Sequence, residues 1–587
     1  MFKKAYKLIF FLIAVPLSVF PQSAIHSAKN TVQNTWNSVF LQPKGTGWTM
    51  PTVNVGGRDF KLDDYSYTGY KLSQVGLGDA IPCKHVTITD SGDITTALRA
   101  AVSTMAGLGG GTIHIPAGTF MVSGTVTITS GNIRIAGAGS GATTILVASS
   151  YNPGNQLTEA PFTFMGGGGV GYSQWAEPGK SPLATTLADV NRGDQIVKVV
   201  SSAGFAVGDW VVIQQYFWPD FVKANSAGTW TTNPPETGTD SAFSNTFCYP
   251  RKITAINGKV ITLDAPIPQT LRNNDSTVWF YQPNSGQFIE NVGIDGLTLQ
   301  VQDNHNGPDG IPIGTALAFK GVFNGWARDI KIHNIAKNGI KPAWSTRITV
   351  MDCEISGAQN TGGGGWGYGF YTYASSQVLY KRCTAVNLRH NFSTEYAMTN
   401  MVVYTRCDSI KTMGNSAGVT MECDDTHFGY SQRLLWDMFH QENTGLLTEN
   451  RGTYSHGAYE TFGGGVVWNY SGTSSNPYRN WQAGTVQCSP ATYTSDSDAL
   501  VIGTSGATIY DNSQDPASGY VYGTIMTGDG PKLGPRGNVA YEGINRTGLF
   551  PSSLFDAQLR TRLGFLPPDN APVSCEQTSA FTPNLEK

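Results

Sequence analysis

The sequence predicts an all-β protein built as a right-handed parallel β-helix, a solenoid in which short strands stack coil upon coil. Three phrases carry the prediction: ITVMDC at 348–353, VLYKRC at 378–383 and VVYTRC at 402–407. Each is a short strand-forming run followed by polar turn residues, and no helical pattern separates them. A strand that recurs in this way cannot bury its own apolar face, so it must stack on copies of itself.

The N-terminal residues 1–24 are expected to be a secretory signal peptide. Lysines at the start precede an apolar stretch at 8–20, and small residues follow it. The stretch is shorter than the ~20 apolar residues that a membrane helix needs. We therefore expect a secreted protein, extracellular or periplasmic, without a membrane span, in which residues 25–85 form an N-terminal extension.

Residues 86–184 are predicted to form the first part of the β-helix. DSGDITTALRAAV at 90–102 indicates a capping helix with Asp93 near its N-cap. GGGTIHIPAGTF at 109–120 and GAGSGATTI at 137–145 then indicate strands and tight turns. This run resembles the opening of the pectate-lyase-like superfamily. The resemblance implies the right-handed parallel β-helix of secreted, polysaccharide-lyase-like proteins, and it says little about substrate.

Three further segments complete the predicted organisation. The recurring short strands of the coils are absent from the sequence at 185–285. Short runs of alternating apolar and polar residues there indicate antiparallel strands of a small inserted β-rich unit. Residues 286–547 are expected to be the main β-helix and to carry the active site. Residues 548–587 are Pro-rich and poorly periodic, so they are expected to form an irregular C-terminal tail.

Composition narrows the choice of partner. The chain has 69 Gly, 25 Tyr and 13 Trp among 587 residues, and only 14% of residues are charged. Such aromatics suit a sugar-binding cleft or a β core. The formal net charge of −3 gives no broad basic field, so a nucleic acid is not an expected partner.

The eight cysteines are predicted to play two roles. Cys353, Cys383 and Cys407 end the three matching phrases, as residues stacked inward in successive coils would, so we expect a buried ladder of free thiols with Cys423 as its fourth member. Cys488 and Cys575 lie outside the repeats and are expected to pair with each other.

Ionisable residues concentrate in the turns of the main β-helix, in clusters about one coil apart. The clusters contain Arg389 and His390, then Glu422, Asp424, Asp425, His427 and Arg433, then Arg451, Tyr454, His456 and Tyr459. With coils of roughly 20 to 30 residues, these turns would stack into a single ridge. The segment resembles a subset of β-helix proteins with an RH turn, a DxxH-type turn and an NRG-x(3)-HG turn, here at 389–390, 424–427 and 450–457.

Such a ridge suits β-elimination on a uronate. The weakly acidic proton at C5 can leave only when the neighbouring carboxylate is neutralised, for which Arg389 and Arg451 are suited. His427 and His456, supported by His390, could transfer the proton, because histidine titrates near neutral pH. Tyr454 or Tyr459 could protonate the leaving oxygen.

Other candidates are expected to bind substrate or metal. Trp366, Tyr368 and Tyr371, in a glycine-rich segment, could be a sugar-stacking platform or could fill β-helix corners, and Lys341 and Arg433 could bind an anionic group. The acidic group Glu422, Asp424 and Asp425 could bind Ca²⁺, form a pair of hydrolytic carboxylates, or pair with Arg433 and turn amides. The sequence requires no cofactor, and Ca²⁺ is the one that this acidic group could bind.

Three functions remain open on the sequence alone. The preferred one is a carbon–oxygen lyase, or a dehydratase using the same C5 chemistry, on an acidic polysaccharide or its oligosaccharides. The second is a glycoside hydrolase of the polygalacturonase type, for which Asp424 and Asp425 would supply carboxylates. The third is a glycan-binding β-helix without catalysis, which would need aromatic residues but no clustered acid and base groups.

Overall fold

The computed structural model describes most of the chain from residue 35 to residue 569. The described residues are 35–151, 160–166, 183–218, 221, 246–275, 277–283, 286–303, 314–361, 366–414, 423–428, 430–448, 463–473, 486–488, 499–506, 509–511, 524–525, 527–534 and 539–569. The predicted signal peptide lies outside this part of the chain. Within it, no helix is long and apolar enough to cross a membrane.

The main body is a right-handed parallel β-helix, which confirms the predicted fold. The strand Thr346–Met351 pairs in parallel with Leu379–Lys381, which pairs in parallel with Val403–Thr405. These strands come from the three repeated phrases, so each phrase forms one rung of the solenoid. Their buried residues join one continuous apolar core that runs through the coils.

Two large sheets form the walls of the solenoid. A 19-stranded sheet contains His85–Thr87, Gly111–His114, Gly118–Val122, Ile133–Ala136, Thr143–Val147, Ile289–Val301, Val322–Ile335, Thr346–Met351, Glu354–Ala358, Leu379–Lys381, Thr384–Leu388, Val403–Thr405, Asp408–Thr412, Leu435–Asp437, His440–Glu442, Val466–Thr473, Ala499–Ser505, Lys532–Leu533 and Val539–Glu542. An 11-stranded sheet contains Val126–Ile128, Phe162–Met165, Thr315–Lys320, Asn338–Ala343, Tyr368–Tyr373, His390–Glu395, Asp424–Phe428, Leu446–Thr448, Val486–Cys488, Ile509–Asp511 and Thr524–Ile525.

An α-helix, Thr95–Gly107, covers the N-terminal end of the core, where the sequence places a capping helix. The Asp93 carboxylate accepts a hydrogen bond from the backbone N–H of Thr95 at 2.9 Å. Leu98 and Met105 are buried against the first coils. The helix thus shields strand edges that would otherwise be open to pairing with another chain.

The thiol ladder forms as predicted for three of its members. Cys353, Cys383 and Cys407 are buried and free. Cys423 is also a buried thiol that forms no disulfide, but it precedes a strand of the 11-stranded sheet and is not the fourth member. The next position of the ladder is occupied by Phe439, since His440 N–H donates to Cys407 O and Ser471 N–H donates to Phe439 O.

The disulfide prediction omitted a cysteine. Cys83 is disulfide-bonded to a partner whose side chain lies outside the described part of the chain. The other cysteines with described side chains form no disulfide. Of the eight cysteines only Cys488 or Cys575 is then left to pair with Cys83, so the prediction that these two pair with each other is wrong. Cys83 belongs to no repeated phrase, and the sequence therefore gave no register from which a partner could be chosen.

A six-stranded antiparallel sheet interrupts the coils. Its strands are Leu183–Thr185, Ile196–Lys198, Trp210–Tyr216, Thr246–Asn257, Val260–Leu263 and Val278–Tyr281. It packs on the β-helix through a small apolar cluster in which the rings of Trp210 and Phe323 lie 4.6 Å apart, with Tyr396 and Met398 nearby. The inserted sheet therefore contacts the coil that continues from His390–Glu395.

The segments at the two ends of the described chain pack against each other. The N-terminal extension contains the strand pairs Gln42–Lys44 with Gly47–Thr49 and Val53–Val55 with Arg58–Phe60, and the 3-10 helices Tyr65–Tyr67 and Tyr70–Ser73. An α-helix, Leu554–Leu563, lies in the tail that the sequence analysis expected to be irregular. Its buried face contacts the N-terminal extension, a tertiary contact without a clear sequence period.

Candidate active site

A group of polar and aromatic side chains lies on the outer face of the 11-stranded sheet. Four neighbouring strands supply it: Asn338–Ala343, Tyr368–Tyr373, His390–Glu395 and Asp424–Phe428. Alternate residues of a strand point outward, and paired strands hold them in rows. We call the row that contains Lys341, Tyr371, Ser393 and Asp425 the first column. The adjacent row, which contains Ala343, Tyr373 and Glu395, is the second column.

The Asp425 carboxylate orients His427. Asp425 Oδ2 lies 2.6 Å from His427 Nδ1, and Asp425 Oδ1 accepts a hydrogen bond from Ser393 Oγ at 2.7 Å. An ionised carboxylate can only accept, so Nδ1 carries the proton in this pair. The lone pair of the neutral imidazole is then on Nε2, which lies 3.2 Å from the Tyr368 hydroxyl and 3.9 Å from Glu395 Oε1. His427 can therefore act as a general base at Nε2.

Glu395 is the second carboxylate of the site. It is buried, and its Oε2 accepts a hydrogen bond from the Tyr371 hydroxyl. Burial raises the pKa of Glu395, and the neighbouring His427, the Tyr371 hydrogen bond and Lys341 only partly oppose this. Glu395 thus holds a proton at a higher pH than an ordinary glutamate and can supply it to a neighbour.

Lys341 brings a positive charge into the first column. Its ammonium group lies 4.8 Å from the ring centre of Tyr371 and 4.3 Å from that of Tyr373, and the side chain is buried. Burial raises the pKa of Tyr371 well above its usual value, with Glu395 adding to the effect. Tyr371 is therefore a neutral hydroxyl at physiological pH, suited to donating a proton rather than to serving as a resting base.

Arg389 and His390 lie at the edge of this group. The His390 ring stacks on Tyr368 at 4.7 Å, and the Arg389 guanidinium lies 5.7 Å from the centre of the same ring. His390 Nδ1 is 2.6 Å from the backbone carbonyl of Cys423, to which it donates, and 3.6 Å from Asp425 Oδ1. The structure thus brings together Lys341, Tyr368, Tyr371, Arg389, His390, Asp425 and His427, all of which the sequence singled out.

Two members of the predicted acidic metal site, Asp424 and Asp425, do not converge on one point. Asp424 and Asp425 are adjacent in one strand, so their side chains point to opposite faces. Asp424 is fully buried in the core, where it accepts hydrogen bonds from Phe392 N–H at 2.9 Å and from the Gln441 side chain. Burial raises the pKa of Asp424 to about 7. Glu422 lies outside the described residues.

A different group has the composition of a metal site. Ligand atoms of His390, Asp425 and His427 lie within 4.8 Å of one another. Ca²⁺ prefers oxygen ligands, whereas this group offers two imidazoles. The Nδ1 atom of His390 also donates to a carbonyl, and both Asp425 oxygens accept hydrogen bonds. The observed contacts therefore fit a hydrogen-bond relay better than a cation site.

Arg433 does not line the site, contrary to the prediction that it binds substrate. Its side chain is completely buried beneath the inserted sheet, where Nη2 donates to Gln269 Oε1 at 3.0 Å and Nη1 lies 3.4 Å from Asp63 Oδ2. Arg433 therefore joins the β-helix to the inserted sheet and to the N-terminal extension. Local sequence could not reveal this, because both partners are far away along the chain.

Trp366 is half-buried beside the site, with the Lys337 ammonium group 4.8 Å from its ring centre. The remaining candidates, Arg451, Tyr454, His456 and Tyr459, lie outside the described residues, so their roles remain predictions. Sequence reasoning missed Glu395, Ser393 and Lys337. The first two alternate along the strand that begins at His390, and this alternation was an available signal for a polar outward face.

Comparisons with known proteins give structural likenesses and no assignment. No family model matches the chain, and no curated protein sequence matches it. The structure is similar to the tailspike protein gp49 from Pseudomonas phage LKA1, with 16% identity and a TM-score of 0.43 over 72% of this chain. The match spans 58% of the tailspike's own length.

Two enzymes are also among the similar structures. The A-module of the Azotobacter vinelandii mannuronan C-5 epimerase AlgE4 shares 11% identity, with 74% of this chain and 86% of that chain covered and a TM-score of 0.32. The catalytic domain of a GH87 alpha-1,3-glucanase shares 11% identity, with 80% and 66% covered and a TM-score of 0.35. Likeness at this level assigns neither activity nor substrate.

Proposed function

We propose that the protein is a secreted carbohydrate-active enzyme that acts on a uronate-containing polysaccharide, or on its oligosaccharides, by β-elimination at C5. The observation that carries the proposal is the connected set Tyr371, Glu395, His427 and Asp425 on the outer face of one sheet, with Lys341 against it. The set contains a base, an acid and a cation, which are the three elements that elimination requires.

The base is His427 Nε2. It takes the C5 proton, the C5–H electron pair forms the C4=C5 double bond, and the C4–O bond breaks. Asp425 stabilises the resulting imidazolium through the Nδ1 contact of 2.6 Å. Lys341, with Arg389 at the edge, compensates the charge that develops on the uronate carboxylate.

The acid is the Tyr371 hydroxyl. It gives its proton to the departing oxygen, and Glu395, which accepts the Tyr371 hydrogen bond and has a raised pKa, returns a proton to it. If the departing oxygen belongs to the next sugar, the chain is cleaved, as in a lyase. If it is a free hydroxyl, water is lost, as in a dehydratase.

A glycoside hydrolase is the second candidate, and one observation favours it. Glu395 has a raised pKa beside the hydrogen-bonded carboxylate Asp425, and hydrolysis needs one protonated and one ionised carboxylate. Asp424, which the sequence offered for this pair, is excluded because it faces the core. A binding protein without catalysis has no need for buried titratable groups in mutual contact, which are costly to keep.

The test uses purified mature protein and a panel of uronate polysaccharides and oligosaccharides. Near-ultraviolet absorbance of a new C4=C5 double bond establishes elimination, and product mass separates chain cleavage from loss of water. New reducing ends without this absorbance establish hydrolysis and refute elimination.

A further inference from the structure

Lys337 occupies an unusual position beside the proposed active site. It directly precedes the strand Asn338–Ala343, and its half-buried ammonium group lies over the Trp366 ring at 4.8 Å. Among the described residues, no carboxylate forms an ion pair with Lys337. A ring face orients a cation but does not neutralise it, since an aromatic face carries no net charge.

The backbone places Lys337 in line with site residues. Gly367 N–H donates to Lys337 O at 2.8 Å, and Arg389 N–H donates to Gly367 O at 3.0 Å. These three residues therefore lie on consecutive rungs of the same corner. Adjacent rungs are about 4.8 Å apart, so Lys337 and Arg389 are separated by roughly 10 Å along the solenoid axis.

Gly367 is required for this spacing. Its φ is +77°, and a Cβ atom there would come within 3.0 Å of Arg389 Cβ. The corner consequently carries two cations, each over an aromatic ring, because Arg389 lies over Tyr368 at 5.7 Å as Lys337 lies over Trp366. We call Lys337, Trp366, Arg389 and Tyr368 the cationic edge.

The charge of Lys337 is only partly compensated by its surroundings. Burial lowers the pKa of Lys337, and the attraction of Glu395 only partly restores it. A half-buried ammonium group without a carboxylate gains more from an anionic ligand than a solvated one does, because part of its desolvation cost is already met. A neutral sugar would not provide this stabilisation of the ammonium group.

We propose that Lys337, held against Trp366, binds the anionic group of the sugar next to the reacting residue. The proposal rests on the proposed function insofar as the substrate is an acidic glycan. The ring of that sugar lies against Trp366, and its anionic group meets the Lys337 ammonium group. The anion is a carboxylate of a second uronate or a sulfate ester, since both have oxygens that accept from a lysine.

Binding is tested by isothermal titration calorimetry on the mature chain carrying Asp425→Asn, which slows turnover during the titration. The probes are a uronate tetrasaccharide, its carboxyl-reduced counterpart and a sulfated neutral tetrasaccharide. Lys337→Gln is compared with Lys337→Arg, which keeps the charge, and with Lys411→Gln, which removes an exposed lysine on the 19-stranded sheet. Should Lys337→Gln not fold, Lys337→Met keeps the apolar stem over Trp366 and carries the same expectation.

We expect Lys337→Gln to weaken binding of the uronate or the sulfated probe about tenfold or more, the range for a charged hydrogen bond. Lys337→Arg should recover most of it, and Lys411→Gln should leave it unchanged. Which probe responds identifies the anion. Equal affinity of the Asp425→Asn chain with and without Lys337→Gln for both anionic probes overturns the proposal.

The two proposals fail in different ways. If the wild type produces the C4=C5 absorbance but Lys337→Gln binds normally, only the Lys337 subsite is wrong. If no elimination occurs but anionic binding still depends on Lys337, only the proposed reaction is wrong. An Asp425→Asn chain with Lys337 intact that binds no anionic probe overturns the subsite and the acidic substrate together.

Discussion

His427 Nδ1 lies 2.6 Å from Asp425 Oδ2, although the two residues are two positions apart in one short strand. The strand pairing shows how this contact arises. Thr394 pairs with Thr426 but Glu395 pairs with Phe428, so the register shifts beside His427. A shift of this kind re-aims a side chain, and bulges of this type occur next to active sites. Here it brings the imidazole over the carboxylate that orients it.

Asp424 and Asp425 form a matched pair for mutation. Asp425→Asn should lower kcat by about 10²-fold or more, since it removes the acceptor that fixes the imidazole. Asp424→Asn should retain activity near the wild-type level, because Asp424 faces the core. Steady-state kinetics on the substrate found in the panel measures both, and loss of activity in Asp424→Asn alone would contradict the assignment.

Glu395→Gln tests the proton supply to Tyr371. The amide can still hydrogen-bond to the hydroxyl but holds no proton to give, so kcat should fall about tenfold or more while KM changes little. Tyr371→Phe, which removes the acid itself, should have a larger effect. If Glu395→Gln abolishes the formation of new reducing ends in a protein that makes no C4=C5 bond, the hydrolase alternative gains support.

Stability should fall as pH rises through the range in which buried carboxyls ionise. Burial raises the pKa of Asp424 to about 7 and that of Asp437 to about 6, above the ordinary value of 3.8. Between the ordinary pKa and the raised pKa, the folded state therefore binds more protons than the unfolded state. The stabilisation that these two protonated carboxyls provide is complete below about pH 3.8 and is lost as the pH rises to about 7.

Asp424→Asn should remove part of this pH dependence. The Tm of the variant relative to that of the wild type should rise by a few degrees from pH 5 to pH 8. These pH values lie on either side of the Asp424 pKa of about 7. Differential scanning calorimetry at both pH values measures this. A constant difference would mean that Asp424 is already ionised in the folded protein.

The thiol ladder should be inert in the folded protein. Cys353, Cys383 and Cys407 are buried and free, so a thiol reagent should modify them only after unfolding. Cys383→Ser should destabilise the protein by about 1–3 kcal/mol, since a hydroxyl replaces a weakly polar group inside the core. Cys383→Ala should cost less, and chemical denaturation compares the two.

Arg433→Ala should reduce stability rather than substrate affinity. The guanidinium is fully buried and contacts Gln269 and Asp63, so its loss removes the link between three parts of the chain. Removing one partner of such a buried group costs roughly 3 kcal/mol or more. Denaturation midpoints and KM, measured on the folded fraction, check this; a raised KM with unchanged stability would return Arg433 to the site.

The sequence by itself determined the solenoid. Repeated phrases with a period of one coil cannot bury their apolar residues alone, so the parallel stacking of Thr346–Met351, Leu379–Lys381 and Val403–Thr405 followed from local pattern. The same pattern indicated the stacked thiols and gathered Arg389, His390, Asp425 and His427 on neighbouring coils.

Tertiary structure alone decided which residues face the outside of that solenoid and what they touch. Side-chain direction has a period of two residues, so the register and one shift of it send Asp424 inward and set Asp425 and His427 together. Glu395 belongs to the site because it accepts a hydrogen bond from Tyr371, which lies on another coil. Arg433 does not line the site, because its side chain contacts the inserted sheet instead. That sheet is far from Arg433 along the chain, so no local pattern encodes the contact.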